Sequence, residues 1–110
     1  MHWPINSSVH PAQPALDGLD ALLQHRSRLG ACVLLSTADA LSFSRLKILL
    51  KETDGNLGAQ LRKLEDAEYL KVRKDFENRK PVSWYSLTSK GRRMLKTHLD
   101  ALEAVIRAAR

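Results

Sequence analysis

The sequence predicts a mainly α fold with a small β-hairpin, closed by a long C-terminal helix. Three observations predict it. Leucines recur three and four residues apart from Leu16 to Leu64, the spacing of one helix face. After Tyr69 the period drops to two, as in a strand. After Thr88 a helical period returns and runs to the end of the chain.

The 110 residues fit one domain with a single modest core. Residues 1–15 hold Pro4, Pro11 and Pro14 and read as an extended arm, which Trp3, Ile5 and Val9 could dock onto the body or a second subunit. Residues 16–110 form the domain. "LDGLDALLQHRSRLGACVLLSTAD" is helical in two pieces: Leu16, Leu19, Leu22 and Leu23 form one stripe, and Leu29, Cys32, Val33 and Leu35 continue it, with Gly30 and Ala31 suited to close packing. Leu41 can form a brief strand. "SFSRLKILLKE" is a short helix with Ser42 as N-cap and Phe43, Leu46, Leu49 and Leu50 facing inward. Thr53 caps the next helix on the N–H of Asn56, and Asp54 suits the helix dipole. Its apolar side is Leu57, Leu61, Leu64 and Ala67. So short a link between two helices is the mark of a helix-turn-helix, here residues 42–67.

"LKVRKDF" and "VSWYSL" are strands joined by the turn chemistry of "ENRKP". A hairpin centred on Asn78 and Arg79 sets Val72 against Tyr85, Leu70 against Leu87, and Arg73 against Trp84 as a cation–aromatic pair. This wing covers residues 70–87, and the last helix covers 88–109. That helix is about 30 Å long at 1.5 Å per residue. Its stripe of Leu95, Leu99, Leu102 and Ile106 is longer than one small domain covers. A homodimer interface is therefore expected there, joined by Leu16, Leu19 and Leu23 of the first helix.

Charge is clustered. Lys71 to Lys96 carries nine basic and two acidic residues, more than the whole excess of +6, whereas residues 1–40 carry two basic and three acidic ones. A basic balance permits nucleic acid or an anionic membrane as a partner without proving either, and clustering is what an electrostatic footprint requires. Just before it, Gly55, Asn56, Ala59 and Gln60 leave the start of the second helix nearly bare, and Arg62 and Lys63 follow. Weak helix residues in solvent would look the same. The functional reading is that small residues let the backbone into a major groove, where Asn56 and Gln60 can bond adenine edges.

The run from Leu41 to Leu95, with "SFSRLK", "DGNLGAQLRKLE", "RKP" and "YSLTSKGR" in order, resembles the winged helix-turn-helix domains of MarR/ArsR-like transcriptional regulators, closest to their compact single-domain bacterial and archaeal subset. The resemblance covers residues 29–101. It implies a dimeric, sequence-specific regulator, with repressor the expected sense, on a pseudo-palindromic double-stranded DNA operator. Gly55, Asn56, Ala59, Gln60 and Lys63 would read bases, and Asn78, Arg79 and Lys80 would form the wing tip. Arg73 and Lys74 of the wing, Ser44, Arg45, Thr53 and Arg62 would hold phosphates, with Lys90 and Arg92 in reserve. The family usually has Gly where this chain has Glu68, so either Glu68 adopts a left-handed cap or the helix ends differently.

Other functions find less support. "DGNLG" lacks the G-x-x-x-x-G-K-[ST] pattern of a phosphate loop. Cys32, the one cysteine, sits on an apolar face and reads as core, with no disulfide to make. His2, His10, His25 and His98 read as scattered surface residues, so no metal, cofactor or catalytic group is expected, and no small-molecule effector is specified. No apolar run approaches the roughly 20 residues of a membrane span, and the start lacks signal-peptide character; a cytoplasmic protein is expected. The rival reading is a winged helix that uses the same surface to bind an acidic protein.

Overall fold

The computed structural model describes residues 10–110. Trp3, Ile5, Val9 and His2 lie outside the described residues. Helix α1 (Ala12–Asp17) starts inside the segment expected to be extended. Pro14 is tolerated there because it sits in the first turn, where backbone N–H groups have no helical partner to lose. The leucine stripe of residues 16–23 is then broken. A 3-10 turn (Ala21–Gln24) follows α1, with Asp20 capping the N–H of Leu22. Helix α2 (Arg26–Ser36) is capped by His25, whose Nδ1 accepts from the N–H of Ser27 at 3.1 Å.

Strand β1 (Leu41–Ser42) leads into α3 (Phe43–Leu50), capped by Ser42 on the N–H of Arg45. Helix α3 ends on Lys51 in the left-handed region, and the next helix, α4 (Asp54–Asp66), opens under the Thr53 cap expected for it. Strands β2 (Leu70–Glu77) and β3 (Lys80–Leu87) form the wing, and α5 (Ser89–Ala109) closes the chain under a Thr88 cap. The sheet order is β1-β3-β2, all antiparallel. The expected register holds: Val72 pairs with Tyr85, Leu70 with Leu87 and Arg73 with Trp84. The tip is a two-residue turn with both Asn78 and Arg79 at positive φ, 51° and 68°, the type I′ geometry that matches strand twist.

Leu23, Leu35, Leu46, Leu57, Leu61 and Leu64 are fully enclosed in one core, onto which Leu70, Tyr85, Leu87 and Leu95 pack from the wing and α5. A side chain at Gly30 would meet Leu50 at 2.6 Å, so α2 and α3 touch there as the small residues implied. Four apolar expectations are corrected. Leu49 and Val33 are exposed rather than inward, because α3 and α2 each bury a narrower face than the wheel allots. Leu23 and Leu95, expected at a subunit interface, lie in the chain's own core.

His98 is likewise not on the surface. It is 1 % exposed, and its Nδ1 accepts the N–H of Asp20 at 2.9 Å. Asp20 also accepts from the Tyr69 hydroxyl at 2.5 Å, so one carboxylate joins the α1–α2 connection to the start of the wing. Burial, then that hydrogen bond, pushes the Tyr69 phenol well above its usual range. Burial also pushes the Cys32 thiol up to about 12, as befits a core cysteine.

Candidate nucleic-acid interface

The site is built on the join between α4 and the wing. Helix α4 ends with Glu68 at φ 66°, so this residue bears the left-handed strain, about 1–2 kcal/mol for a side chain larger than glycine. Three contacts hold it. The N–H of Tyr69 donates to Leu64 O at 2.8 Å; Thr88 Oγ1 donates to Glu68 O at 2.6 Å; and the N–H of Thr88 donates to Tyr69 O at 3.0 Å. Helix α5 approaches this corner so closely that a Cβ on Gly91 would sit 2.2 Å from Tyr69 O. The wing therefore leaves α4 in a direction set by Thr88 and Gly91, without a glycine at the corner.

Gly55, Asn56, Ala59, Arg62 and Lys63 are exposed along α4, as are Ser44 and Arg45 of α3 and Thr53 between them. Lys74, Asn78, Arg79 and Lys80 are exposed on the wing. A groove of about 300 Å³ separates the two elements, lined by Arg62, Glu65, Asp66, Val72, Lys74, Ser83 and Tyr85. Nothing inside the protein requires glycine at position 55. Its φ is not positive, and a Cβ there would meet no atom within 4 Å. Glycine loses more backbone freedom on entering a helix than alanine does, and at position 55 that loss has no internal return.

Two expected contacts are placed differently. Gln60 is 8 % exposed and turned inward: Arg28 Nη1 donates to its Oε1 at 2.5 Å, while its Nε2 donates to Asn56 Oδ1 at 3.3 Å. Asn56 in turn donates to a carboxylate oxygen of Glu52. The helical wheel put Gln60 beside Asn56 but carried no trace of Arg28, which reaches in from α2. Arg73 faces Trp84 in register, yet its guanidinium turns to Asp75 at 2.6 Å. The Phe76 N–H first, and then Arg73, hold the Asp75 carboxyl below the usual range. Among the described residues a cation lies over a ring instead at Lys90, 5.8 Å from the centre of Tyr69. Arg92, the other reserve contact, donates to Ser36 O at 3.4 Å.

Alternation along "LKVRKDF" groups Phe76 with Leu70 and Val72 on the apolar side of the strand, and the structure corrects this. Phe76 is 71 % exposed on the wing, paired across the strands with Pro81. Only its place past the end of the covered strand half, where alternation no longer means burial, could have signalled this. Among the described residues no three His, Cys, Asp or Glu side chains gather as metal ligands, and no helix is long and apolar enough to cross a membrane.

A helix-turn-helix, a two-stranded wing and a strand pairing beside it define the winged-helix class. A family model described as a winged helix DNA-binding domain matches residues 27–106, and the chain belongs to that family. Its fold is that of MarR-like transcriptional regulators. The structure of a transcriptional regulator homologue from Pyrococcus horikoshii OT3 is similar at 27% identity and TM-score 0.79, over 92% of this chain and 98% of that one. Sco3205, a MarR family regulator from Streptomyces coelicolor crystallised in complex with DNA, is similar at 23% identity and TM-score 0.62, over 88% of this chain and 68% of that one. ZitR of Lactococcus lactis, also solved with DNA, is similar at 22% identity and TM-score 0.57, over 76% and 56%. No curated protein matches the chain.

Proposed function

We propose that the chain is a homodimeric regulator of transcription that binds a pseudo-palindromic double-stranded DNA operator and represses by occupying it. The observation that carries this reading is the bare start of α4: Gly55 and Ala59 are exposed, Gly55 has no internal need to be small, and a cationic wing follows directly. A helix that enters a major groove has that need. In this reading Asn56 and Lys63 face base edges. The wing tip, Asn78, Arg79 and Lys80, meets the backbone and a minor groove, and Ser44, Arg45, Thr53 and Arg62 meet phosphates. Lys74 adds charge, and Arg73 contributes less because Asp75 partly neutralises it. The DNA complexes of Sco3205 and ZitR support the choice of partner.

The dimer would form through what α1 and α5 leave uncovered: Leu16, Leu99 and Ile106, exposed at 49 %, 41 % and 52 %, with the partly covered Leu19 and Leu102 between them.

Selection of bound sequences from random duplex DNA tests the reading and returns the half-site spacing. Arg79→Ala should weaken binding to all sequences and flatten the salt dependence by about one released counterion. Gly55→Ala should leave the fold no less stable, by urea unfolding, and yet weaken DNA binding. Binding to an acidic protein with no salt-dependent affinity for duplex DNA would favour the rival reading.

A further inference from the structure

We infer that Arg28, Gln60 and Glu52 are positioning residues that hold the Asn56 amide in one orientation and so make it a reader of adenine; this rests on the DNA-binding reading above. The four side chains form a ladder along the start of α4. Arg28 donates to Gln60, Gln60 donates to Asn56, and Asn56 donates to Glu52. Both ends are anchored to other elements. Arg28 Nε donates to Leu22 O at 2.6 Å, and Arg26, which donates to Leu50 O at 2.8 Å, lies 3.9 Å from Glu52.

The two ends differ in kind. A guanidinium can only donate, and a carboxylate can only accept. Turning either amide around would set an NH₂ group against Arg28, or two oxygens against each other, so the polarity of the ladder is forced from its ends. An asparagine amide has two N–H donors and two acceptor lone pairs. Glu52 uses one donor and Gln60 one lone pair, leaving one of each on the exposed amide. A donor beside an acceptor is what the N7 and N6 edge of adenine requires in the major groove. Gln60 thus serves recognition from a buried place, by fixing its neighbour.

The test is selection from random duplex DNA with the full chain, comparing wild type, Glu52→Gln, Arg28→Met and Asn56→Ala. Glutamine at position 52 can accept or donate, so it removes the polarity with little change in shape. Wild type should prefer adenine at one position per half-site. Glu52→Gln and Arg28→Met should each reduce that preference about tenfold, within the range of one bidentate contact, and leave preferences elsewhere in the site in place. In an Asn56→Ala background neither should have a further effect. An adenine preference that survives both variants overturns the inference alone. Preference falling equally at every position marks general loss of structure and overturns it too. A wild-type chain that selects no site overturns it together with the DNA-binding reading.

Discussion

Helices α4 and α5 carry the same kind of leucine stripe and meet different fates. In α4, Leu57, Leu61 and Leu64 are all sealed, at 1 % exposure or less. In α5 the stripe divides: Leu95 and Ala101 are buried, while Leu99 and Ile106 stand at 41 % and 52 %. The difference lies in what each helix has beside it. Helix α4 lies across α2 and against the first residues of the wing, so its whole apolar face is roofed by its own domain. Helix α5 has 21 residues and outruns the body, with the short α1 as its outer neighbour. A periodic stripe tells which side of a helix seeks cover, and the length of the neighbouring elements decides whether the same chain supplies it.

The contrast can be broken most sharply on the sealed side. Leu61→Ala should cost about 2–5 kcal/mol, read by urea unfolding, because the cavity has no solvent edge through which to collapse. The equivalent change on the open side, Ile106→Ala, should change the stability of the monomer by no more than about 0.5 kcal/mol. The open side should instead govern assembly. Leu99→Lys with Ile106→Lys should break the proposed homodimer, read by sedimentation beside wild type, since burying two unpaired ammonium groups at an interface is costly. A dimer that persists would place the interface elsewhere.

Smaller effects sharpen how the sealed side is held. Glu68→Gly should stabilise the fold by about 0.5–1 kcal/mol, the relieved left-handed strain less the greater freedom of glycine in the unfolded chain. Unchanged unfolding would mean that the Thr88 contacts already absorb that strain. Cys32, with its thiol held up to about 12 against an ordinary 9.0, is neutral in the folded chain where the unfolded chain would ionise. Its contribution to stability is therefore complete below about pH 9 and lost as pH climbs toward 12. Thiol reagents at pH 8 should react with it only after unfolding.

Local chemistry was legible. The caps at Ser42, Thr53 and Thr88 each join residues three apart, and the wing register follows from alternation plus a two-residue turn at Asn78 and Arg79. The left-handed turn at position 68 was visible as a difficulty, and the structure shows that Glu68 accepts it. The bare face of α4 was legible at Gly55, Asn56 and Ala59 but not at Gln60. A helical wheel reports direction around one helix; it cannot show that Arg28, 32 residues earlier, reaches the same spot. His98 was misplaced for the same reason, since its partner is the backbone of Asp20, 78 residues away.

The sequence by itself determined the elements from α3 onward, the caps at Ser42, Thr53 and Thr88, the pairing of the wing and the clustering of charge, because each depends on residues within a few positions of one another. Only the tertiary structure decided which polar groups of α4 are already bonded, which leucines of α5 remain open, and how the wing leaves α4 through Thr88 and Gly91. The bonds depend on atoms brought within 3 Å of each other from distant parts of the chain, and the open leucines on how far α5 outruns its neighbours.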